Sequence, residues 1–412
     1  MNARDNELLT RTGAGTAMGE LLRRYWMPIL CSSELPEPDC TPVRVTILGE
    51  HLIAIRVTDG SISLFQEHCP HRRASLYFGR NEQQGIRCVY HGWKFDGTGQ
   101  CVETPGELNA NFKNKIKLTS YPCREQGGVI WTYMGPPDLQ PALPQIEWSL
   151  VPESHRFISK RIQETNWFQA LEGGWDYIHI GMLHRGAITL TTMTGTPDFA
   201  PAGPVVQEAV EMDYGLLFGR AQTHSDDRVY WMCSQLLMPS HKLLPHTEGS
   251  AYAAHVWVPI DDEHCMLWSI DYRTDAPLDA AEIGELERWF GIHAEVEPGT
   301  DRAVFNKTND YGIDRVLQKS GESFTGIKGL GLQDAAIQES QGTIYDRTQE
   351  HLCSSDQHII ALRRYFLKLV HEMRAGTQPP GLDPASHSQR PQNAVSAKNV
   401  PFATVARHES VV

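Results

Sequence analysis

Cys69-Pro-His71, then sixteen residues, then Cys88-Val-Tyr-His91-Gly92-Trp93 is the stretch on which the fold turns. Each segment offers one thiol and one imidazole, and strand-like runs bracket both. Two cysteines and two histidines form a metal-ligand set that two kinds of centre can use. Zinc takes such a set, but a zinc finger normally places both cysteines in one knuckle and both histidines in another. A [2Fe–2S] cluster also takes it, with thiolates on one iron and imidazoles on the other, which raises the potential above that of an all-cysteine cluster. One cysteine and one histidine in each loop favours the cluster. His68 falls outside the pattern and reads as structural or surface. Arg72 and Arg73 read equally as shields of the site and as solvated cations. Cys101 and Cys123 read as buried thiols.

Working outward, residues 41–133 break into short strand-like runs at 43–47, 52–57, 63–66 and 128–133, punctuated by turn pairs such as Asp59-Gly60 and Asp96-Gly97. That pattern predicts a small all-β domain over 28–140. Ahead of it, Met18, Leu21, Leu22, Tyr25 and Trp26 recur at helical spacing and predict an N-terminal helix within 1–27. Pro136, Pro137, Pro141 and Pro144 mark a linker. A larger mixed domain is expected over 141–375, with helices at 167–183, 280–289, 332–341 and 357–374. Its strands are expected at 205–212, 216–223, 229–238, 252–259 and 266–272. Residues 376–412, rich in Pro, Ser, Asn and Gln, read as a mobile or draped tail.

The larger domain carries a second constellation, Asp176-Tyr-Ile-His179-Ile-Gly-Met-Leu-His184. On a helix, residues three apart lie about 60° apart on one face. His184, five beyond His179, falls roughly 140° away in a regular helix. Both imidazoles reach one metal only if the helix ends or is distorted between them, and Gly181 is placed to allow that. Two histidines and a carboxylate with open positions suit a non-heme Fe(II) oxygenase site. A structural pair of histidines is the rival, and the upstream cluster pattern weighs against it.

At this point the chain resembles a known family. Cys69-Pro-His71-Arg72 with Cys88-Val-Tyr-His91-Gly92-Trp93-Lys94-Phe95-Asp96 resembles the Rieske domain of aromatic-ring oxygenases. Respiratory Rieske proteins resemble it less, since they add a cysteine to each loop where this chain has Arg72 and Val89. Asn166-Trp-Phe-Gln-Ala-Leu-Glu-Gly-Gly-Trp-Asp176 resembles the phthalate dioxygenase branch, and the resemblance covers nearly the whole chain. It implies an α+β architecture: an all-β Rieske domain plus a catalytic domain of helix-grip type, with an antiparallel sheet and flanking helices. It implies one [2Fe–2S] cluster on Cys69, His71, Cys88 and His91. It also implies one mononuclear Fe(II) on His179, His184 and a downstream carboxylate. Gln333-Asp334-Ala-Ala-Ile-Gln-Glu339 resembles the segment that supplies that ligand. Asp334 is therefore chosen, with Glu339 and Asp346 as runners-up. Asp176 is implied as the catalytic bridge that joins His179 to His91 of a neighbouring subunit. Glu172 and Gln169 read either as neighbours of the iron or as core hydrogen-bonding groups.

The implied activity is oxygenation of a small aromatic substrate with O2 and electrons from NADH, in a homotrimer served by a reductase carrying FMN and a plant-type [2Fe–2S] centre. No Gly-x-Gly-x-x-Gly fingerprint follows a strand in this chain, so reducing power is expected from a partner. Enzymes of this branch often take aromatic carboxylates, for which Arg220 and Arg228 are the candidate anchors. Met182, Leu183, Trp231 and Met238 are candidate pocket walls. A Rieske monooxygenase or O-demethylase shares every ligand; a pure Rieske electron carrier needs only about the first 135 residues. The formal net charge of −13 argues against nucleic acid and anionic membranes as partners. Nine scattered cysteines and no apolar run of about 18 residues suggest a reducing cytoplasm.

Overall fold

The computed structural model describes residues 1–185, 206–223, 227–246, 249–391 and 393–408. The chain divides into two compact units, Arg23–Leu143 and the remainder.

In the smaller unit, every sheet is antiparallel. Val43–Ile47, Glu50–Arg56, Ile62–Gln66 and Ser120–Tyr121 form one; Arg80–Glu82, Gly85–Arg87, Lys94–Asp96 and Cys101–Glu103 form another; Val129–Tyr133 joins Trp26–Cys31 to Cys123–Gln126 in a third. Successive side chains of a strand alternate faces, so Ile53, Ile55 and Phe65 turn inward together with Leu76, Ile86 and Phe95. Cys69 and Cys88 belong to that same apolar cluster. The loops carrying the chemistry thus hang from a packed core.

The larger unit is built on an eight-stranded antiparallel sheet. Arg156–Gln163 lies at one edge. Cys265–Tyr272, Tyr252–Pro259, His241–Leu243, Arg228–Leu237, Gly215–Thr223 and Val206–Met212 follow in spatial order. Arg161 pairs with Leu267, Leu267 with Trp257, and His255 with Lys242. Alternation then places Arg161, Gln163, Leu267, Trp257, His255 and Lys242 on one face. The helix Trp167–Trp175 packs on the Tyr252–Pro259 and Cys265–Tyr272 strands and against the helix Leu330–Ser340. These two helices bring the site residues to the sheet.

Buried charge locks the first helix in place. Glu172 accepts from Arg347 Nη2 at 2.7 Å and from Arg363 Nε at 2.5 Å, and Arg363 also pairs with Glu350. Within Glu172, burial opposes ionisation, but the two guanidinium groups outweigh it and hold the carboxyl below its ordinary range.

Three expectations change. The N-terminal segment is two helices, Ala3–Thr10 and Ala17–Leu22, and Trp26 already begins a strand. Residues 1–22 belong with the larger unit, where Thr12 N–H donates to Asp262 at 2.8 Å. The helix expected over 167–183 stops at Trp175, because Asp176 turns extended (φ −80°, ψ 102°) and its Oδ1 accepts from the Ile178 N–H at 2.9 Å. The chain beyond 376 does not hang free. Ala394–Ala397 adds to the Arg228–Leu237 strand, and Phe402 is buried with its ring 4.6 Å from Trp231. Val205 lies outside the described residues; the strand begins at Val206.

Candidate functional site

The two loops of the smaller unit share one backbone design. Cys69 N–H donates to Ala74 O at 2.9 Å, and Arg73 N–H returns to Cys69 O at 2.9 Å. Cys88 N–H donates to Trp93 O at 2.8 Å, and Gly92 N–H returns to Cys88 O at 2.9 Å. Both turns need a positive φ at the fifth residue: 63° at Arg73 and 75° at Gly92. The matched turns bring the His71 and His91 rings to 4.5 Å between centroids, and His71 stacks on Trp93 at 4.4 Å. The thiols face inward and are buried, whereas His71 is exposed and His91 half-exposed. Burial pushes the Cys69 thiol up to about 11; bound iron is the positive charge that would hold it as thiolate.

The donor arrangement bears on zinc against cluster. Donors to one ion must crowd together. Among the described residues the set that gathers three donor atoms within 4.8 Å of one another is His179, His184 and Asp334, not the cysteine–histidine loops. Four donors shared between two irons have no need to converge in that way.

The larger unit holds this second set at the broken helix. His179 starts and His184 ends a short turn of helix, Ile180–Leu183. Gly181 sits inside that turn rather than at the break. His179 Nε2 stands 3.3 Å and His184 Nε2 3.4 Å from the same atom, Asp334 Oδ1. Burial works against charge on Asp334, yet the two imidazoles hold it well below the usual carboxylate range. His184 Nδ1–H donates to Gln333 Oε1 at 2.7 Å, which leaves Nε2 as the free lone pair. Two Nε2 atoms and a carboxylate oxygen aimed at one point fit a divalent metal with open positions. Asp176 Oδ2 lies 3.9 Å from His179 Nδ1, on the opposite side of that ring.

These residues open on a pocket of about 70 Å³. Leu244, Trp257, Leu267, Ile292 and Leu330 give it apolar walls; Arg161, Lys242, His255 and Gln338 give it polar ones. Burial holds His255 neutral, with a pKa of about 3. Neither Arg220 nor Arg228 is among its lining residues. Arg220 is buried close enough to Tyr177 to feel its charge, and Arg228 is exposed at the start of its strand. Met182 is exposed, while Trp231 and Met238 are buried elsewhere in the unit; these and Leu183 also fall outside the lining. Glu339 accepts from Tyr311 Oη at 2.5 Å, and Asp346 accepts from Thr348 and Gln349, so neither runner-up joins the histidines. Glu172 and Gln169 make core contacts.

Sequence reasoning missed Arg161, Lys242, His255 and Gln333. For Arg161, Lys242 and His255 the available signal was polar residues at inward positions of strands; Gln333, on a helix, offered only its place beside Asp334.

Comparison with known proteins agrees with this geometry. Residues 25–122 match the Rieske [2Fe-2S] domain family, and residues 132–404 match the family described as LigXa C-terminal domain like. The chain is 35% identical to the 3-chlorobenzoate-3,4-dioxygenase oxygenase subunit of Comamonas testosteroni, covering 97% of this chain and 96% of that protein. It is 34% identical to the phthalate 4,5-dioxygenase oxygenase subunit of Pseudomonas putida, covering 92% and 88%. It is also 34% identical to the 5,5'-dehydrodivanillate O-demethylase oxygenase subunit of a Sphingobium species, covering 95% and 86%. Dicamba monooxygenase bound to dicamba shares the fold, with a TM-score of 0.60 at 18% identity over 86% of this chain and 99% of that one. An electron carrier would need only the smaller unit. With both families matched, this chain belongs to the Rieske non-heme iron oxygenases, as an oxygenase component of the phthalate dioxygenase-like branch, with one [2Fe–2S] cluster and one mononuclear iron per chain.

Proposed function

We propose that the enzyme hydroxylates the ring of an aromatic carboxylate such as a phthalate, halobenzoate or phenoxybenzoate. The observation that carries this reading is the His179–His184–Asp334 set facing an apolar pocket with cationic groups in its wall. Leu244, Trp257 and Leu267 suit a ring, and a buried cation suits a carboxylate. The oxygenase subunits for 3-chlorobenzoate, phthalate and phenoxybenzoate among its relatives support the same class.

Cys69, Cys88, His71 and His91 would hold the cluster, and His179, His184 and Asp334 the iron. When bound, the cluster delivers electrons singly and the iron supplies dioxygen chemistry. The side chains bind, orient and insulate. Gln333 fixes the His184 tautomer, and the apolar walls exclude water. Asp176 steadies His179 from behind and joins it to His91 of a neighbouring subunit, which calls for a homotrimer. Electrons come from NADH through a separate reductase with FMN and a plant-type [2Fe–2S] centre. The setting is cytoplasmic; no helix among the described residues is long and apolar enough to cross a membrane.

The O-demethylase relative favours a second reading, in which one oxygen atom enters a methoxy group. Turnover under 18O2 with a competent reductase separates them. A ring diol carrying label in both hydroxyls supports the first reading. One labelled oxygen with released formaldehyde supports the second. No oxidation of any aromatic acid overturns the first.

A further inference from the structure

We propose that Arg161 is the specificity-determining anchor for the substrate's carboxylate. The inference deepens the proposed function and rests on its assignment of the iron pocket as the substrate site.

Arg161 sits on the Arg156–Gln163 strand, facing the pocket, and is only 4% exposed. Its Nη2 donates to Gly331 O at 2.7 Å, but Nε and Nη1 have no hydrogen-bond partner among the described residues. Its neighbour Lys160, on the opposite face, is a different case: its Nζ meets Asp301 at 2.7 Å. A buried guanidinium with two unused donors is expensive to maintain, and an anion that accepts from both removes the deficit. Carboxylate geometry matches that fork in a way that a neutral ring substituent does not.

Among the described lining residues the other charged cation, Lys242, already has one acceptor. Lys242 Nζ donates to Gly174 O at the end of the Trp167–Trp175 helix and lies 5.1 and 5.0 Å from the ring centres of Trp175 and Tyr177. Its position explains a structural role, holding that helix end above the sheet. His255 is neutral, so among the described lining residues Arg161 is the positive group that offers two donor nitrogens with no acceptor, set in the fork that a carboxylate matches.

Arg161 also lines a second cavity beyond the first. Glu164 and Glu339 line that cavity, so an anion there would meet two carboxylates. In the iron pocket the ligand carboxylate, Asp334, is the one that a bound metal would neutralise. The anion therefore goes to the iron side.

The test is equilibrium binding to the holoenzyme, comparing wild type, Arg161→Gln and Arg161→Lys. The probes are benzoate, 3-chlorobenzoate and phthalate, each against the neutral carboxamide of the same ring. Iron content and the reduced cluster's EPR signal serve as fold controls. Arg161→Gln should weaken the tightest-binding acid by about 30-fold or more while its carboxamide changes by less than about threefold. Arg161→Lys, which keeps charge without the fork, should fall between, and it carries the test if the glutamine variant does not fold. Equal weakening of acid and amide, an unchanged acid affinity, or a wild type that binds none of the acids overturns the proposal. Selective loss of acid binding with no oxidation of any acid would leave the anchor standing and sink the proposed reaction. Oxidised acids with no discrimination by Arg161→Gln would do the reverse.

Discussion

His184 and Gln333 are joined by a single hydrogen bond, Nδ1–H to Oε1 at 2.7 Å, and Gln333 directly precedes Asp334 on the same helix. Gln333 is fully buried and its amide nitrogen is held by Ile327 O at 2.8 Å, so its acceptor stays turned to the imidazole. The residue that sets the tautomer of one ligand is therefore fixed in register with another. Replacing Gln333 with Leu should lower mononuclear iron affinity by about 10–100-fold while leaving the cluster intact. Competitive chelation followed by iron analysis reads this directly; unchanged affinity would show that the hydrogen bond plays no part.

Glu172 neutralises two buried arginines at once. Glu172→Gln leaves Arg347 and Arg363 short of a countercharge in an apolar setting and should cost about 3–5 kcal/mol. A denaturant titration should show the loss in the larger unit's transition. A cost under about 1 kcal/mol would mean that Glu350 alone suffices for the pair.

Two adjacent glycines predict different outcomes. A Cβ at Gly174 would stand 2.5 Å from Trp257, whose ring forms part of the pocket wall. A Cβ at Gly173 would instead meet the amide end of Gln338, which is buried and accepts from Gln163 Nε2 at 2.5 Å but, unlike the Trp257 ring, has rotatable bonds by which to yield. Gly174→Ala should therefore destabilise by about 1–3 kcal/mol and weaken substrate binding. Gly173→Ala should do less of both. Thermal midpoints and substrate affinity of the pair check the order, and the reverse order would contradict this packing.

Burial keeps His241 neutral with a pKa of about 3, and His358 likewise with one of about 4, against an ordinary 6.5. Between those values the unfolded chain binds protons that the folded one refuses. Stability is thus full above about pH 6.5 and lost as pH falls, by about 1 kcal/mol per unit for each histidine. His358→Gln should shrink the drop in denaturation midpoint between about pH 7.5 and about pH 5.5. An undiminished drop would place the proton uptake elsewhere.

What the sequence made legible follows from how local each feature is. The candidate cluster residues sit in two short turns, so their spacing is visible in the sequence. The break between Asp176 and His179 was misplaced at Gly181, because an Asx turn at Asp176 competes with helix continuation and needs no glycine at the break itself. Asp334 was reachable only through family resemblance, since 150 residues separate it from His184. Arg161 was out of reach. Its meaning depends on register across the sheet, which pairs it with Leu267 and Trp257, while Arg220 and Arg228 look identical to it in sequence. Of the two readings of the tail, draped is the one the packing favours, and polar composition hid the strand that pairs with Arg228–Leu237.

The most direct test of the central claim is iron and acid-labile sulfide analysis with EPR of dithionite-reduced protein, on wild type and His179→Ala side by side. The wild type should carry about three irons and about two sulfides per chain, and the variant should lose one iron and keep its Rieske signal. About two irons in both proteins, with identical spectra, would contradict the mononuclear site and leave an electron carrier.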